Sequence, residues 1–276
     1  MKYNIRNFDS LRPEDILNDA RIKAHRSAYL LIKNLSKISD PKNNKIHQLA
    51  TAESLTGGLI FSTIVDIPIG SIHKYGCFGV YDTDAKRNFL GVKVKNLYTN
   101  KCAKEMAEGV LKNSNASIAI SVSGNSMPTQ NLDNIKKLGE VFIGIAGYRD
   151  DGTIICETFV YNFCTEHSNA INLCKFWYNT VIQNSKSKRR IPNDIITTSF
   201  VSNYIRNKTT EIALLNAIKF IKNNKLAYPS FLHESKSNPL NKKHFRSNLK
   251  TKCINENCND ITRKNGIYKN SALLKF

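Results

Sequence analysis

The sequence predicts a layered α/β domain followed by a basic extension. Three observations carry that expectation: helical and strand-like apolar spacings alternate as far as residue 182, the β-branched runs between them are short and bounded by turn residues, and positive charge gathers in the last third. From Pro13 to about Leu35, Leu17, Ala20, Ala24, Ala28, Leu31 and Leu35 recur at three- and four-residue steps, with Pro13, Glu14 and Asp15 suited to a first helical turn. The polar stretch Ser39–Lys45 reads as a loop and Ile46–Ala52 as a buried strand. A helical pattern resumes over Thr56–Ile67 and stops before Pro68 and Gly70. Tyr75–Tyr81 reads as a second strand, Thr83–Leu90 as a short helix, and Asn100–Leu111 as a helix with Ala103, Met106, Ala107 and Val110 on one face. Ser117–Val122, Val141–Ala146 and Ile154–Tyr161 are three further strands, and Ser168–Ile182 a last helix of the domain. Lys186–Arg190 is a charge run taken as the boundary, so the expected domain spans 1–183 and the extension 184–276. Within the extension a helix is expected near 209–223, and poor order from about Tyr228.

At 276 residues and 41% apolar content the chain can bury a sizeable core. It contains no run of about 18 apolar residues, the length a membrane helix needs, and its first residues carry Asp9, Glu14, Asp15 and Asp19. The expectation is a cytoplasmic protein without membrane span, signal peptide or transit peptide. Seven scattered cysteines fit reduced thiols. Zinc at Cys253 and Cys258 fails on ligand spacing, so no metal is expected. The net charge of +19 is uneven: residues 1–183 hold 22 basic and 17 acidic side chains, residues 184–276 hold 19 and 5. Such a tail attracts phosphate backbones, although a lysine- and asparagine-favouring genome drifts to the same composition.

Leu49-Ala-Thr-Ala-Glu-Ser-Leu-Thr-Gly-Gly58 sets Ser54 where a strand gives way to a helix, beside backbone N–H groups that favour negative charge. Ser54 is a candidate nucleophile, with the amides of Thr56, Gly57 and Gly58 as anion donors. A serine there also serves as a helix cap. Neither His47 nor His73 stands in a triad pattern. A lysine serves as base when burial makes its neutral form accessible, and Lys86 in Tyr81-Asp-Thr-Asp-Ala-Lys86 is the candidate.

These blocks, followed by Leu90-Gly-Val92, Ala107-Glu-Gly109 and Ser121-Val-Ser-Gly124, resemble in order and spacing the CinA carboxy-terminal domain family over roughly residues 20–182. The resemblance implies a three-layer α/β/α sandwich with a mixed sheet. It also implies a nicotinamide mononucleotide deamidase, a cofactor-free amidohydrolase that converts the carboxamide to nicotinate mononucleotide and ammonia. Carried over, Ser54 is the nucleophile, Lys86 the general base and Tyr81 an assisting hydroxyl, while Thr56, Gly57, Gly58, Ser123 and Gly124 line the substrate pocket. The chain departs from the family at Leu55, where a cysteine is usual, and at Asn125-Ser-Met-Pro128, in place of a glycine-rich stretch. Lys136-Lys-Leu-Gly139 lacks a proline, and Phe163-Cys-Thr-Glu-His167 carries His167 in place of an arginine that could grip an anion.

Two other readings stay open on the sequence. One is a catalytically impaired homologue with a binding role; the other is a nucleic-acid partner held through the basic tail, which shows only scattered aromatics and no recognisable binding motif. A homo-oligomer is compatible with both.

Overall fold

The computed structural model describes residues 13–127, 137–163 and 193–228. Helix α1 (Pro13–Ile38) is followed by β1 (Leu49–Glu53), α2 (Leu59–Val65), β2 (Lys74–Gly79), α3 (Thr83–Leu90) and α4 (Asn100–Lys112). Then come β3 (Ile118–Gly124), β4 (Glu140–Tyr148), β5 (Ile154–Asn162) and the long helix α5 (Asn193–Asn223). The strands form one sheet in the order β2-β1-β3-β4-β5. β2, β1 and β3 are parallel, and β4 pairs antiparallel with both β3 and β5, so the sheet is mixed as expected.

Strand alternation sorts the core into two layers. Ile118, Ile120 and Val122 of β3, with Ile143 and Ile145 of β4, join buried residues of α1, α2 and α5 on one face. Ala50, Ala52, Ala119 and Ala146 face the other way, toward α3 and α4. Small residues on that second face let α4 lie close: Ser121 Oγ donates to the Ala103 carbonyl at 2.6 Å, and a Cβ on Gly144 would stand 2.6 Å from that same oxygen. Gly109 serves the same end on the far side of α4, where an added methyl would run into the Leu90 carbonyl. Since neither backbone can yield cheaply, Gly109→Ala is expected to cost about 3 kcal/mol of stability in urea denaturation, with secondary structure retained.

Several boundaries differ from the sequence reading. α2 starts at Leu59 rather than Thr56, because Gly57 (φ +61°) and Gly58 (φ +95°) are both left-handed and hold the chain in a turn. β1 begins at Leu49 rather than Ile46; His47 and Gln48 enter it through bonds to Ser117 and Ile118 instead. The expected helix at 209–223 starts sixteen residues earlier, at Asn193. Its Val201, Tyr204, Ile205, Ala213, Leu214 and Ala217 belong to the same core as α1. The packed core therefore runs past the boundary expected at residue 184. The helix expected over Ser168–Ile182, the expected disorder of the tail, His167 and the cysteine pair 253 and 258 lie outside the described residues. Among the described residues no helix is long and apolar enough to cross a membrane.

The two histidines nearest Ser54 in sequence sit at the opposite end of β1. His47 Nδ1 meets Ser117 Oγ at 3.0 Å, and His73 bridges the His47 carbonyl (2.9 Å) and Ser36 Oγ (2.9 Å). Burial, aided by His73, pushes the His47 imidazole down to about 4. A base depressed below its unfolded value of 6.5 stabilises the fold fully only above that pH, and the contribution is lost as pH falls from 6.5 toward 4. About 3 kcal/mol should disappear over that interval, and His47→Gln should flatten that part of the stability–pH curve.

Candidate active site

The carboxyl ends of the parallel strands define one edge of the sheet. From β1 the chain passes to α2 on one face, and from β2 to α3 and α4 on the other, so this edge is where the strand order reverses, the usual place for a ligand in α/β sheets. Ser54 is the first residue beyond β1 at that edge. Its N–H donates to the Val122 carbonyl (3.2 Å), while Val80 N–H donates to the Glu53 carbonyl (2.9 Å), so Ser54 lies between the ends of β3 and β2.

The loop after Ser54 is a tight turn. Gly57 N–H donates to the Ser54 carbonyl (3.2 Å) and Leu59 N–H to the Thr56 carbonyl (3.2 Å). Ser54 is buried, at 7% exposure, and its Oγ has no hydrogen-bond partner among the described residues. The amides of Leu55, Thr56 and Gly58 have none either, and Thr56 Oγ1 is a buried orphan. Buried N–H groups are nearly always paired, so two of them directly behind a buried hydroxyl mark a place suited to an anionic oxygen. Of the three amide donors expected, Gly57 is already committed to Ser54, and Leu55, whose amide the sequence reading passed over, joins the free ones.

Lys86 projects from α3, whose first turn is fixed by Asp82 accepting from Asp84 N–H at 2.7 Å. The side chain is buried at 3% exposure, and Nζ donates to the Tyr81 carbonyl at 2.8 Å. Neighbouring strands lie about 4.8 Å apart, which puts that carbonyl, two residues past β2, at the same sheet edge as Ser54. Lys86 makes no ion pair among the described residues, and burial lowers its pKa against the opposing pull of Cys102 and Asp82. Burial pushes the Cys102 thiol up to about 11, so its pull on the amine acts only where the thiol ionises. Nζ and Ser54 Oγ share no direct hydrogen bond.

Tyr81 contributes to this cluster through its backbone. Its side chain is 76% exposed, and it is the carbonyl rather than the phenol that touches Lys86. Ser123 stands at the end of β3, but its hydroxyl is committed to the Leu97 carbonyl at 3.0 Å. Gly124 follows it, paired with Val141.

Two charged groups absent from the sequence reading hold the turn. Glu53 is fully buried and caps α2 in place of the serine: its carboxylate accepts from Ile60 N–H (3.0 Å), Phe61 N–H (2.9 Å) and Thr51 Oγ1 (2.9 Å). Arg206 of α5 donates through Nε (3.2 Å) and Nη2 (2.7 Å) to the Thr56 carbonyl. A carboxylate closing an apolar strand just ahead of a helix is a readable capping signal; nothing in the spacing of Arg206 announces its partner.

Fold and site define a class: mixed-sheet α/β/α proteins with a serine on the turn after the first strand and a buried lysine at the next strand end. The CinA C-terminal domain family matches residues 33–173, and the chain belongs to it. The CinA-like proteins of Chlorobium limicola and of Leptospira borgpetersenii are each 40% identical to it, over 115 and 116 residues. Each alignment covers 40% of this chain and 27% of the relative, so the chain spans about a quarter of the length of these curated relatives. Among solved structures, the competence/damage inducible protein CihA from Agrobacterium tumefaciens aligns with 71% of this chain and 96% of its own, at 23% identity and a TM-score of 0.47.

Proposed function

We propose that this chain is an amidohydrolase that cleaves the carboxamide of nicotinamide mononucleotide. One observation carries the reading: among the described residues, a buried serine hydroxyl without a partner is followed by amides without partners, and a buried lysine that makes no ion pair stands at the adjoining strand end. In the proposed reaction Ser54 Oγ attacks the amide carbon while Lys86 Nζ, neutral, takes the hydroxyl proton. The oxyanion accepts hydrogen bonds from the Leu55 and Thr56 amides. Lys86 passes the proton to the departing nitrogen, the C–N bond breaks and ammonia leaves an acyl-serine. Water, deprotonated by the same amine, then frees nicotinate mononucleotide and restores Ser54. No cofactor is needed for this sequence of steps.

The test is the stoichiometry of the purified chain acting on nicotinamide mononucleotide. One ammonia and one nicotinate mononucleotide per substrate consumed is the expected result. A folded chain that releases neither overturns the assignment of this substrate.

A further inference from the structure

We propose that Arg206 is a positioning residue for the Ser54 turn, so that the carboxy-terminal third of the chain, beyond the matched family region, completes the candidate site. The inference rests on the hydrolase reading for its catalytic consequence and on geometry for the rest. Ser54, Leu55, Thr56 and Gly57 form a four-residue turn closed by the Gly57 N–H to Ser54 carbonyl bond. Its two central amides, Leu55 and Thr56, are the unpaired donors. The closing bond fixes the peptide planes that carry these two amides. The Thr56 carbonyl belongs to the same peptide group as the closing Gly57 N–H, and it is this carbonyl that takes two N–H bonds from Arg206.

A guanidinium pulling electron density toward the oxygen of a peptide strengthens the donor at its other end. Arg206, the Thr56–Gly57 peptide and the Ser54 carbonyl thus form a chain of hydrogen bonds ending on the nucleophile's own residue. No carboxylate pairs with Arg206 among the described residues, so its charge is spent on the turn rather than on an ion pair; its other close partner is Asn203 Oδ1 at 3.4 Å. Gly57 suits the turn through its left-handed φ of +61° rather than through lack of space, since a Cβ there would meet Nη2 at an ordinary contact distance of 3.5 Å. Lysine, with one point of donation, cannot reproduce the two-pronged grip.

The experiment compares the full chain with Arg206→Gln, Arg206→Lys and, as a control on the exposed side of α5, Lys219→Gln. Three quantities are measured: amide hydrogen exchange at Gly57, the rate at which a fluorophosphonate labels Ser54, and kcat and KM for ammonia release. For Arg206→Gln the expected result is at least about tenfold faster exchange at Gly57 with β3 and β4 unchanged. Labelling and kcat should fall about 10- to 100-fold, with KM moving less than about threefold. Arg206→Lys should recover part of each loss, and Lys219→Gln should match the wild type. Unchanged exchange at Gly57 overturns the proposal, as does looser exchange with labelling and kcat intact. A wild-type chain inert to both substrate and probe removes the hydrolase reading and the catalytic half of this one, while the exchange arm still decides whether Arg206 holds the turn. Labelling without turnover of nicotinamide mononucleotide removes the substrate assignment alone.

Discussion

Ser54→Ala and Lys86→Ala are each expected to reduce ammonia release from nicotinamide mononucleotide by about 10³-fold or more, with the melting transition preserved. The size follows from the division of labour. In the proposed reaction, alanine at 54 removes the atom that bonds to carbon, and alanine at 86 leaves a hydroxyl that must lose its proton to water. The double variant should be hardly worse than either single one, because nucleophile and base act as a unit. As the proposed base, Lys86 is also expected to set the pH dependence. Its pKa is lowered by burial, so the neutral form that accepts a proton is reached below the ordinary lysine value of 10.5. The kcat/KM profile should rise with pH through that depressed ionisation and fall as the amine is protonated on the acid side. Full activity in either variant, or an acid limb indistinguishable from that of a solvent-exposed lysine, would show that the proton goes elsewhere.

The second large effect is expected at Glu53. Alanine there strands the Ile60 and Phe61 amides and the Thr51 hydroxyl in a region closed to water. Hydrogen bonds to a buried carboxylate are worth about 1.5–3 kcal/mol each, and orphaned partners cost about 1–3 kcal/mol more apiece, with incomplete additivity. A loss of about 4 kcal/mol is expected, read as a shift of the urea midpoint at constant m-value. Glu53→Gln keeps one acceptor and should lose roughly half as much. Equal stability of Glu53→Ala and wild type would mean that α2 finds another cap.

Most of the fold could be read from local signals. Helix α3 emerges with its predicted ends because Asp82 caps it and left-handed Gly91 stops it, both within a few residues. The stripe on α1 is legible because alanines and leucines at helical spacing face one core. α2 was expected three residues early because periodicity registers apolar spacing and not the left-handed backbone of two glycines. The first half of α5 was missed because Ile195, Ile196, Thr197 and Thr198 are weak helix formers, while the residues of this helix that join the core with α1 begin at Val201.

The candidate site was legible to a lesser degree. Ser54 and the idea of free amides behind it came from the strand-to-helix junction, and Lys86 from the need for a base and a preceding strand that carries its helix toward the same edge, with the resemblance of its block added to that. Which amides are free could not be read from residue types, since it depends on the turn that Gly57 closes. Tyr81 suggested a hydroxyl, yet only its carbonyl reaches the lysine. Glu53 was readable as a carboxylate just ahead of a helix, whereas Arg206 acts on the Thr56 carbonyl 150 residues away, a partner that leaves no trace in composition.

The Arg206 contact joins positions 150 residues apart. During synthesis on a ribosome, the serine turn and the sheet edge around it emerge long before the arginine that grips them. A nascent chain can thus assemble its sheet while the turn remains unclasped. If Arg206 holds the turn as proposed, α5, the last helix among the described residues, is a latch, and its docking sets when the turn is first clasped.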